Sequence, residues 1–226
     1  MAELKKFKGV IFDMDGLLVD SERISKEIYR KLFHDLGVEL TDEIFSNVLG
    51  ANRKSEEEYL NKIFGNCEKT SRFFERYPQM LLNAYEEKKI PLKKGAEELL
   101  LWLKDNNIPF ALATSSPLKS VKAAFSDRKI CWNDFTAIVT ADDIKESKPN
   151  PEIFLTAAKK INCDINDCIV LEDSRNGLKA ALNAKAIPIM VVDLYQPDEE
   201  IRKKVDFIQN DLNEVLEMFK KLYATN

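Results

Sequence analysis

Histidine is almost absent from this chain: among 226 residues only His34 carries an imidazole. A Ser-His-Asp triad would have to use that single residue, and a His-rich zinc site is excluded. His34 lies in a helical, apolar-periodic stretch, which fits a surface or packing role. Cysteine is sparse as well. Cys67, Cys131, Cys163 and Cys168 form no Cys-x-x-Cys pair. A chain of this size needs no disulfides, so they read as reduced packing thiols. No apolar run approaches the roughly 18 residues that cross a bilayer. The charged stretch Met1-Ala2-Glu3-Leu4-Lys5-Lys6 is followed by only a short apolar run before Asp13, unlike a signal peptide. A long basic stripe is missing too. Net charge is −4, and the basic clusters (Lys5, Lys6 and Lys8; Lys93 and Lys94; Arg202, Lys203 and Lys204) are short, which argues against a nucleic-acid partner. The expectation is a cytoplasmic protein with no membrane and no nucleic-acid partner, a monomer in the simplest case.

What the chain does contain is enough to fold. Its residues are 45% apolar and 32% charged, the makeup of a soluble protein with a packed core. The length suits one domain carrying an insertion, or two small domains.

The most informative run is Val10-Ile11-Phe12-Asp13-Met14-Asp15-Gly16. An apolar strand delivers two carboxylates at its C-terminal end, and a glycine follows. Residues i and i+2 of a strand face the same way, so continued extension would bring both acids together. Such a pair is unfavourable unless a cation or a shared proton relieves the repulsion.

From Glu22 to about Lys89 the apolar residues recur at helical spacing, as in Ile24, Ile28, Leu32, Phe33 and Leu36. Gly37 marks a stop. Thr41 or Asp42 caps a short helix through Leu49, and Gly50-Ala51-Asn52-Arg53 reads as a loop. Ser55 with Glu58 has capping-box spacing at the start of another helix. Glu68 to Lys89 is helical, with Pro78 a predicted break or kink. The aromatics Phe73, Phe74, Tyr77 and Tyr85 read as core of this helical unit.

Beyond Pro91 helices and strands alternate. The predicted helices are Gly95–Asn107, Pro117–Phe125, Pro151–Lys160 capped by Asn150, Ser174–Asn183, and Asp211–Tyr223 capped by Asp211. The strands are Pro109–Ala113, Ala137–Val139, Cys168–Leu171, Ile187–Val192 and Phe207–Ile208. Together with the first strand they predict an α/β fold: a parallel sheet covered by helices, with an all-helical insert. Residues 1–19 and 91–226 form the predicted core, and 20–90 the insert.

Ligands of such sheets bind beyond the carboxyl ends of the strands. Those ends read Asp13 and Asp15; Thr114, Ser115 and Ser116; a polar stretch reaching Lys148; and Glu172 with Asp173. Each has an ordinary explanation as a turn, a cap or a surface residue. Four together, on four strands, suggest phosphoryl transfer, which needs positioning and charge neutralisation. Here an Asp can attack phosphorus, and a second acid two residues on can serve as general acid and base. Glu172 and Asp173 offer oxygen ligands for Mg²⁺. The Thr114 hydroxyl and nearby backbone N–H groups can hold phosphate oxygens, and Lys148 offsets the negative charge.

Asp13-Met14-Asp15-Gly16, Thr114, Lys148 and Glu172-Asp173 together resemble the motifs of the haloacid dehalogenase-like hydrolase superfamily, in its branch of helical-capped phosphatases and β-phosphoglucomutases. The resemblance implies a Rossmann-like core, with Asp13 as nucleophile and Asp15 as general acid/base. It implies Mg²⁺ held by Asp13, the Asp15 backbone carbonyl and Asp173, with Glu172 near the metal. Phosphate contacts fall to Thr114, Ser115 and Lys148, and the insert resembles a small cap that closes over the site. Asp15 is lacking in the dehalogenases proper, so the chain resembles a phosphoryl-transfer member. β-Phosphoglucomutases carry a His in the hinge helix where Ser25 stands here. Asp20-Ser21-Glu22 resembles the phosphatase branch. Pro117-Leu118 replaces a polar pair of some relatives, and Lys185 stands where a glycine usually follows Ala184. Arg53 resembles a basic substrate-contacting position of the cap, with an exposed loop arginine as the alternative. The implied substrate is a small phosphorylated metabolite, a sugar or nucleoside phosphate. A sugar phosphomutase and a non-catalytic phospho-acceptor module are the alternatives.

Overall fold

Short apolar segments buried on both faces become strands only when helices cover the sheet above and below. The computed structural model describes residues 4–51 and 53–224. The first three residues, Asn52 of the predicted loop, and the last two residues lie outside that range. Among the described residues the strands are β1 (Gly9–Phe12), β2 (Phe110–Ala113), β3 (Ala137–Val139), β4 (Cys168–Glu172), β5 (Ile187–Val191) and β6 (Phe207–Gln209). They form one parallel sheet in the order β3-β2-β1-β4-β5-β6. The chain leaves β1 to one side and later returns to its other side. That reversal opens a crevice at the C-terminal end of β1.

Alternation along the strands divides the core. Val10, Phe12, Phe110, Leu112, Ile169 and Leu171 face one layer, while Ile11, Ala111, Ala113, Val139 and Val170 face the other.

Between β1 and β2 the chain forms α1 (Ser21–Asp35), α2 (Asp42–Val48), α3 (Arg53–Phe64), α4 (Cys67–Glu86) and α5 (Ala96–Asp105). The first four enclose their own apolar cluster, which includes Leu32, Phe33, Leu60, Phe64 and Phe73. Thr41 caps α2 by accepting the Ile44 N–H at 3.1 Å. The insert is attached by a short ribbon of two antiparallel segments. Val19 bridges Leu92, the Asp20 N–H donates to Pro91 O at 2.9 Å, and the Lys93 N–H donates to Leu18 O at 2.9 Å.

The remaining helices are α6 (Leu118–Ala124), α7 (Glu152–Lys160), α8 (Arg175–Ala184), α9 (Glu199–Lys204) and α10 (Leu212–Ala224). Asp211 caps α10, its Oδ1 accepting the Asn213 and Glu214 N–H groups at 2.9 and 3.1 Å.

Four sequence expectations need correction. Arg53 is the first residue of α3 rather than part of a loop, and Ser55 lies inside the helix instead of capping it. Pro78 sits within an uninterrupted α4. An interior proline costs about 3 kcal/mol, but Phe73 and Phe74 before it and Leu82 and Tyr85 after it are all buried, so packing keeps the helix from breaking there. Pro151, not Asn150, occupies the N-cap position of α7, although Asn150 Oδ1 still accepts the Glu152 N–H at 3.0 Å. Helix α9 escaped the reading because Ile201 is the only apolar residue in its span. Its usable signal was Asp198, which accepts the Ile201 N–H at 2.9 Å.

No helix among the described residues is long and apolar enough to cross a membrane.

Candidate active site

The crevice beside β1 receives the ends of four adjacent strands. The parallel ladder continues one residue past β1, with the Asp13 N–H donating to Leu171 O at 3.1 Å. Extension then stops, because Gly16 takes φ +81°. A Cβ at Gly16 would also lie 2.2 Å from Asp173 Oδ2, so the turn needs glycine for its conformation and for the close approach. Thr114 follows β2, Lys148 follows β3 after a polar loop, and Glu172 ends β4 with Asp173 directly after it. Ser174 caps α8 by accepting the Gly177 N–H at 3.1 Å.

Lys148 is 7% exposed and spends all three ammonium hydrogens. It donates to Asp13 Oδ1 at 2.5 Å, Glu172 Oε1 at 2.7 Å and Ala113 O at 3.2 Å. Burial alone would lower its pKa. Asp13 and Glu172 override that and hold it above its ordinary value. Burial pushes the Asp13 carboxyl up to about 7; Lys148 opposes the shift, and Glu172 and Asp15 add to it. Asp173 is driven well above the ordinary carboxylate range, by burial first and then by Glu172 and Asp13.

Glu172 is fully buried and fully occupied. Its Oε2 accepts the Asp173 N–H at 3.1 Å, the Ser174 N–H at 3.0 Å and the Ser174 hydroxyl at 2.9 Å. Its carboxylate presses so closely on α8 that a Cβ at Gly177 would lie 1.7 Å from Oε1.

Asp13, Glu172 and Asp173 bring carboxylate oxygens within 4.8 Å of one another. The Asp173 Oδ1 is buried without a hydrogen-bond partner. An orphaned carboxyl oxygen among clustered acids, where burial and neighbouring carboxylates disfavour the charged forms of Asp13 and Asp173, fits a hard divalent cation, and the donors are all oxygen. Because Glu172 already serves four donors, Asp13 and Asp173 are the side chains with capacity left for one.

Asp15 is held separately. Tyr85 donates its hydroxyl to Asp15 Oδ1. Ser116 Oγ donates to Oδ2 at 2.7 Å, and Thr114 Oγ1 stands 3.5 Å from the same oxygen. Thr114 Oγ1 also accepts the Ser116 N–H at 3.0 Å, the local turn that a Thr-Ser-Ser sequence favours. Ser115 is exposed on the rim.

The insert roofs a cavity of about 550 Å³ above these groups. Its walls include Glu22, Ser25, Arg53, Glu56, Phe74 and Tyr77 from α1, α3 and α4. The Arg53 guanidinium stacks 3.3 Å above the Phe74 ring, and Nε is 3.9 Å from Glu57. Ser25 and Tyr77 share a hydrogen bond of 2.8 Å, and Tyr29 donates to Glu56 Oε1. Burial and then Asp15 raise Glu22 to about 8, and burial raises Glu56 to about 7. His34 lies on the surface with its side chain 92% exposed, and no histidine lines the cavity. Another hollow of about 590 Å³, lined by Lys94, Asp211 and Met218 among others, contains none of these groups.

All predicted core-site residues therefore meet in one place: Asp13, Asp15, Thr114, Ser115, Lys148, Glu172 and Asp173 line or underlie the crevice, with Arg53 on the opposite wall. The sequence marks Ser116 in the Thr-Ser-Ser run and Glu22 in Asp20-Ser21-Glu22 without giving either a role, and it gives Glu56 and Gly177 no place in the site. Tyr85 was read only as apolar core. The Thr-Ser-Ser run was the one available signal for Ser116.

Residues 10–191 match the haloacid dehalogenase-like hydrolase family, and the chain belongs to it. It is an enzyme of the phosphoric monoester hydrolase kind within that family. YhcW of Bacillus subtilis is 35% identical over 182 residues, covering 78% of this chain and 80% of that protein. The phosphorylated carbohydrates phosphatase of Thermotoga maritima is 30% identical over 177 residues, covering 78% and 81%. A crystal structure of a hydrolase from Pseudomonas syringae superposes with a TM-score of 0.81 at 26% identity, over 95% of this chain and 99% of that one.

Proposed function

We propose that the protein is a Mg²⁺-dependent phosphatase that hydrolyses a small phosphorylated metabolite, a sugar or nucleoside phosphate, through an aspartyl-phosphate. The observation that carries this reading is Asp13, buried between Lys148 and the carboxylates of β4, with Asp15 held alongside under a substrate-sized cavity.

An Asp13 oxygen attacks phosphorus, and the bond from phosphorus to the ester oxygen breaks. Asp15 gives its proton to the departing oxygen, so the leaving group exits as an alcohol. Asp15, now a base, takes a proton from water as that water attacks the phosphoryl group. The Asp13–phosphorus bond breaks and inorganic phosphate leaves. Thr114 and Ser115 hold the phosphoryl oxygens, and Lys148, whose hydrogens go to Asp13, Glu172 and Ala113 O, offsets the negative charge beside them. Asp13, the Asp15 backbone carbonyl and Asp173 would hold Mg²⁺, with Glu172 steadying the loop beside them. The bound ion supplies positive charge against the phosphoryl oxygens. Residues 20–90 act as a cap that excludes water and selects substrate, with Arg53 on its inner wall.

Water as the final acceptor, rather than a second sugar hydroxyl, is favoured by the cavity wall. Ser25 is engaged with Tyr77 there, and no histidine is available to move the protons of a mutase cycle.

The test is phosphate release from a panel of phosphorylated metabolites with Mg²⁺. Asp13→Asn and an EDTA-treated sample serve as controls, and both are expected to be inactive. Turnover that survives either control, or isomerised sugar phosphate without free phosphate, would refute the assignment.

A further inference from the structure

We propose that Phe74 and Arg53 form a stacking shelf for a planar ring, so that the substrate is a nucleoside monophosphate and a bare sugar phosphate is a poor one. This rests on the phosphatase reading above and decides between the two kinds of ester that it leaves open. With the phosphoryl group at Asp13, the ring lies against the wall that the insert gives to the cavity.

Arg53 begins α3 and Phe74 lies in α4, and these two helices pack on each other. The guanidinium carbon stands 3.3 Å above the centre of the Phe74 ring, the spacing of a stack in contact. Phe74 is buried, and Phe73 braces it edge-to-face with ring centres 5.1 Å apart. The shelf is therefore fixed from behind. The Arg53 side chain is 58% exposed and lines the cavity. One face of its plane is spent on Phe74, and the other is left for a ligand. Its Nε is 3.9 Å from Glu57, an exposed contact of little worth that leaves the plane free. A guanidinium held flat in this way stacks on aromatic rings.

The surroundings suit a base better than a sugar. Leu49, Pro78 and Leu81 extend the apolar surface of the same wall, and none of the three is buried. The hydroxyls of a sugar would leave that surface uncovered, whereas the face of a base removes it from water. Polar groups stand beside it for the ring edge: the Ser25–Tyr77 hydroxyl pair and the Glu56 carboxyl. A base edge mixes N–H donors with carbonyl acceptors, and hydroxyls serve either kind. The volume of about 550 Å³ falls in the range that encloses a ligand of this size.

The experiment compares kcat/KM on the full chain with Mg²⁺ for ribose 5-phosphate, uridine 5′-monophosphate and inosine 5′-monophosphate. All three present the same phosphoester on the same sugar carbon, and only the base differs. The better nucleotide is expected to lead ribose 5-phosphate by about 10- to 100-fold, the worth of stacking one base. Arg53→Lys keeps the charge and removes the plane, so the ratio should fall about tenfold in it. Lys119, an exposed cation on the core side of the cavity, stays in place in that variant. Phe74→Leu takes away the support and should lower the ratio likewise, with thermal melts reporting whether it folds. Ribose 5-phosphate hydrolysed as well as both nucleotides, or a ratio that Arg53→Lys leaves unchanged, would overturn the proposal. Phosphate released from sugar esters alone sinks this inference and spares the phosphatase reading. No release from any ester sinks that reading, and this inference with it.

Discussion

Tyr85, in the last turn of α4, donates its hydroxyl hydrogen to Asp15 Oδ1, so a residue of the insert orients the proposed acid/base of the core. Tyr85→Phe removes that hydrogen bond and little volume. The expected result is a fall in kcat of about tenfold, the worth of one hydrogen bond to a charged group. KM should change little, and the melting temperature should drop by only a few degrees. Steady-state kinetics decide it: an unchanged kcat would mean that Ser116 suffices to hold Asp15.

Lys148 is the counter-charge for two buried acids. Lys148→Met leaves Asp13 and Glu172 facing each other without it, and breaking such a buried pair costs about 3–5 kcal/mol. Urea unfolding should show that loss together with the loss of turnover. A variant as stable as the wild type would contradict the account of the cluster.

Gly177 has no room for a side chain against Glu172, whereas a Cβ at Gly37 meets nothing within 4 Å. Gly177→Ala is expected to cost about 1–3 kcal/mol by overpacking and to lower activity, because Glu172 must give way and Lys148 moves with it. Gly37→Ala, at φ +71°, should cost about 1–2 kcal/mol of left-handed strain alone and leave turnover untouched. Equal effects of the two on kcat would show that the cradle around Glu172 has no part in catalysis.

Lys185 ends α8 at φ +65°. Lys185→Gly should raise stability by about 1 kcal/mol, because glycine adopts that conformation freely. A lower melting temperature would mean that the lysine side chain contributes more than its backbone strain.

Glu56 is raised in the folded protein from its ordinary 4.5 to about 7. A raised carboxyl favours the folded state while it is protonated. Its contribution is therefore complete below pH 4.5 and fades as pH climbs through about 7. Between about pH 5 and pH 8 the wild type should lose stability faster than Glu56→Gln. Parallel denaturation curves of the two proteins at both pH values would disprove this.

The strand ends were legible because they combine two local signals, an apolar run and the polar residue after it. That is how Asp13, Thr114, Lys148 and Glu172 could be assigned to one crevice from order alone. The partners of Asp15 were not legible in the same way. Tyr85 is 70 positions away and reads as one more apolar residue in a helical stripe; only the docking of α4 onto the core turns its hydroxyl toward the acid. Gly177 gave no sign either, since a glycine early in a helix is explained equally well by chance and by a carboxylate lying on it. Pro78 does not break α4, because local propensity is a weak prior and burial on both sides overrides it. Nothing local in the hinge run Asp20-Ser21-Glu22, or around Glu56 near the start of a helix, says that these two carboxyls face an enclosed cavity.

The ribbon that ties Val19 to Leu92 has a consequence of a different kind. The chain leaves the core and re-enters it at adjacent points. The sheet therefore takes none of its strands from the four helices between, as a garment keeps its seam whatever the pocket sewn into it. A foreign helical unit with neighbouring ends can be spliced across that seam without displacing a strand. Recognition can then be exchanged as a cassette, provided the incoming unit restores the hydroxyl that Tyr85 brings to Asp15.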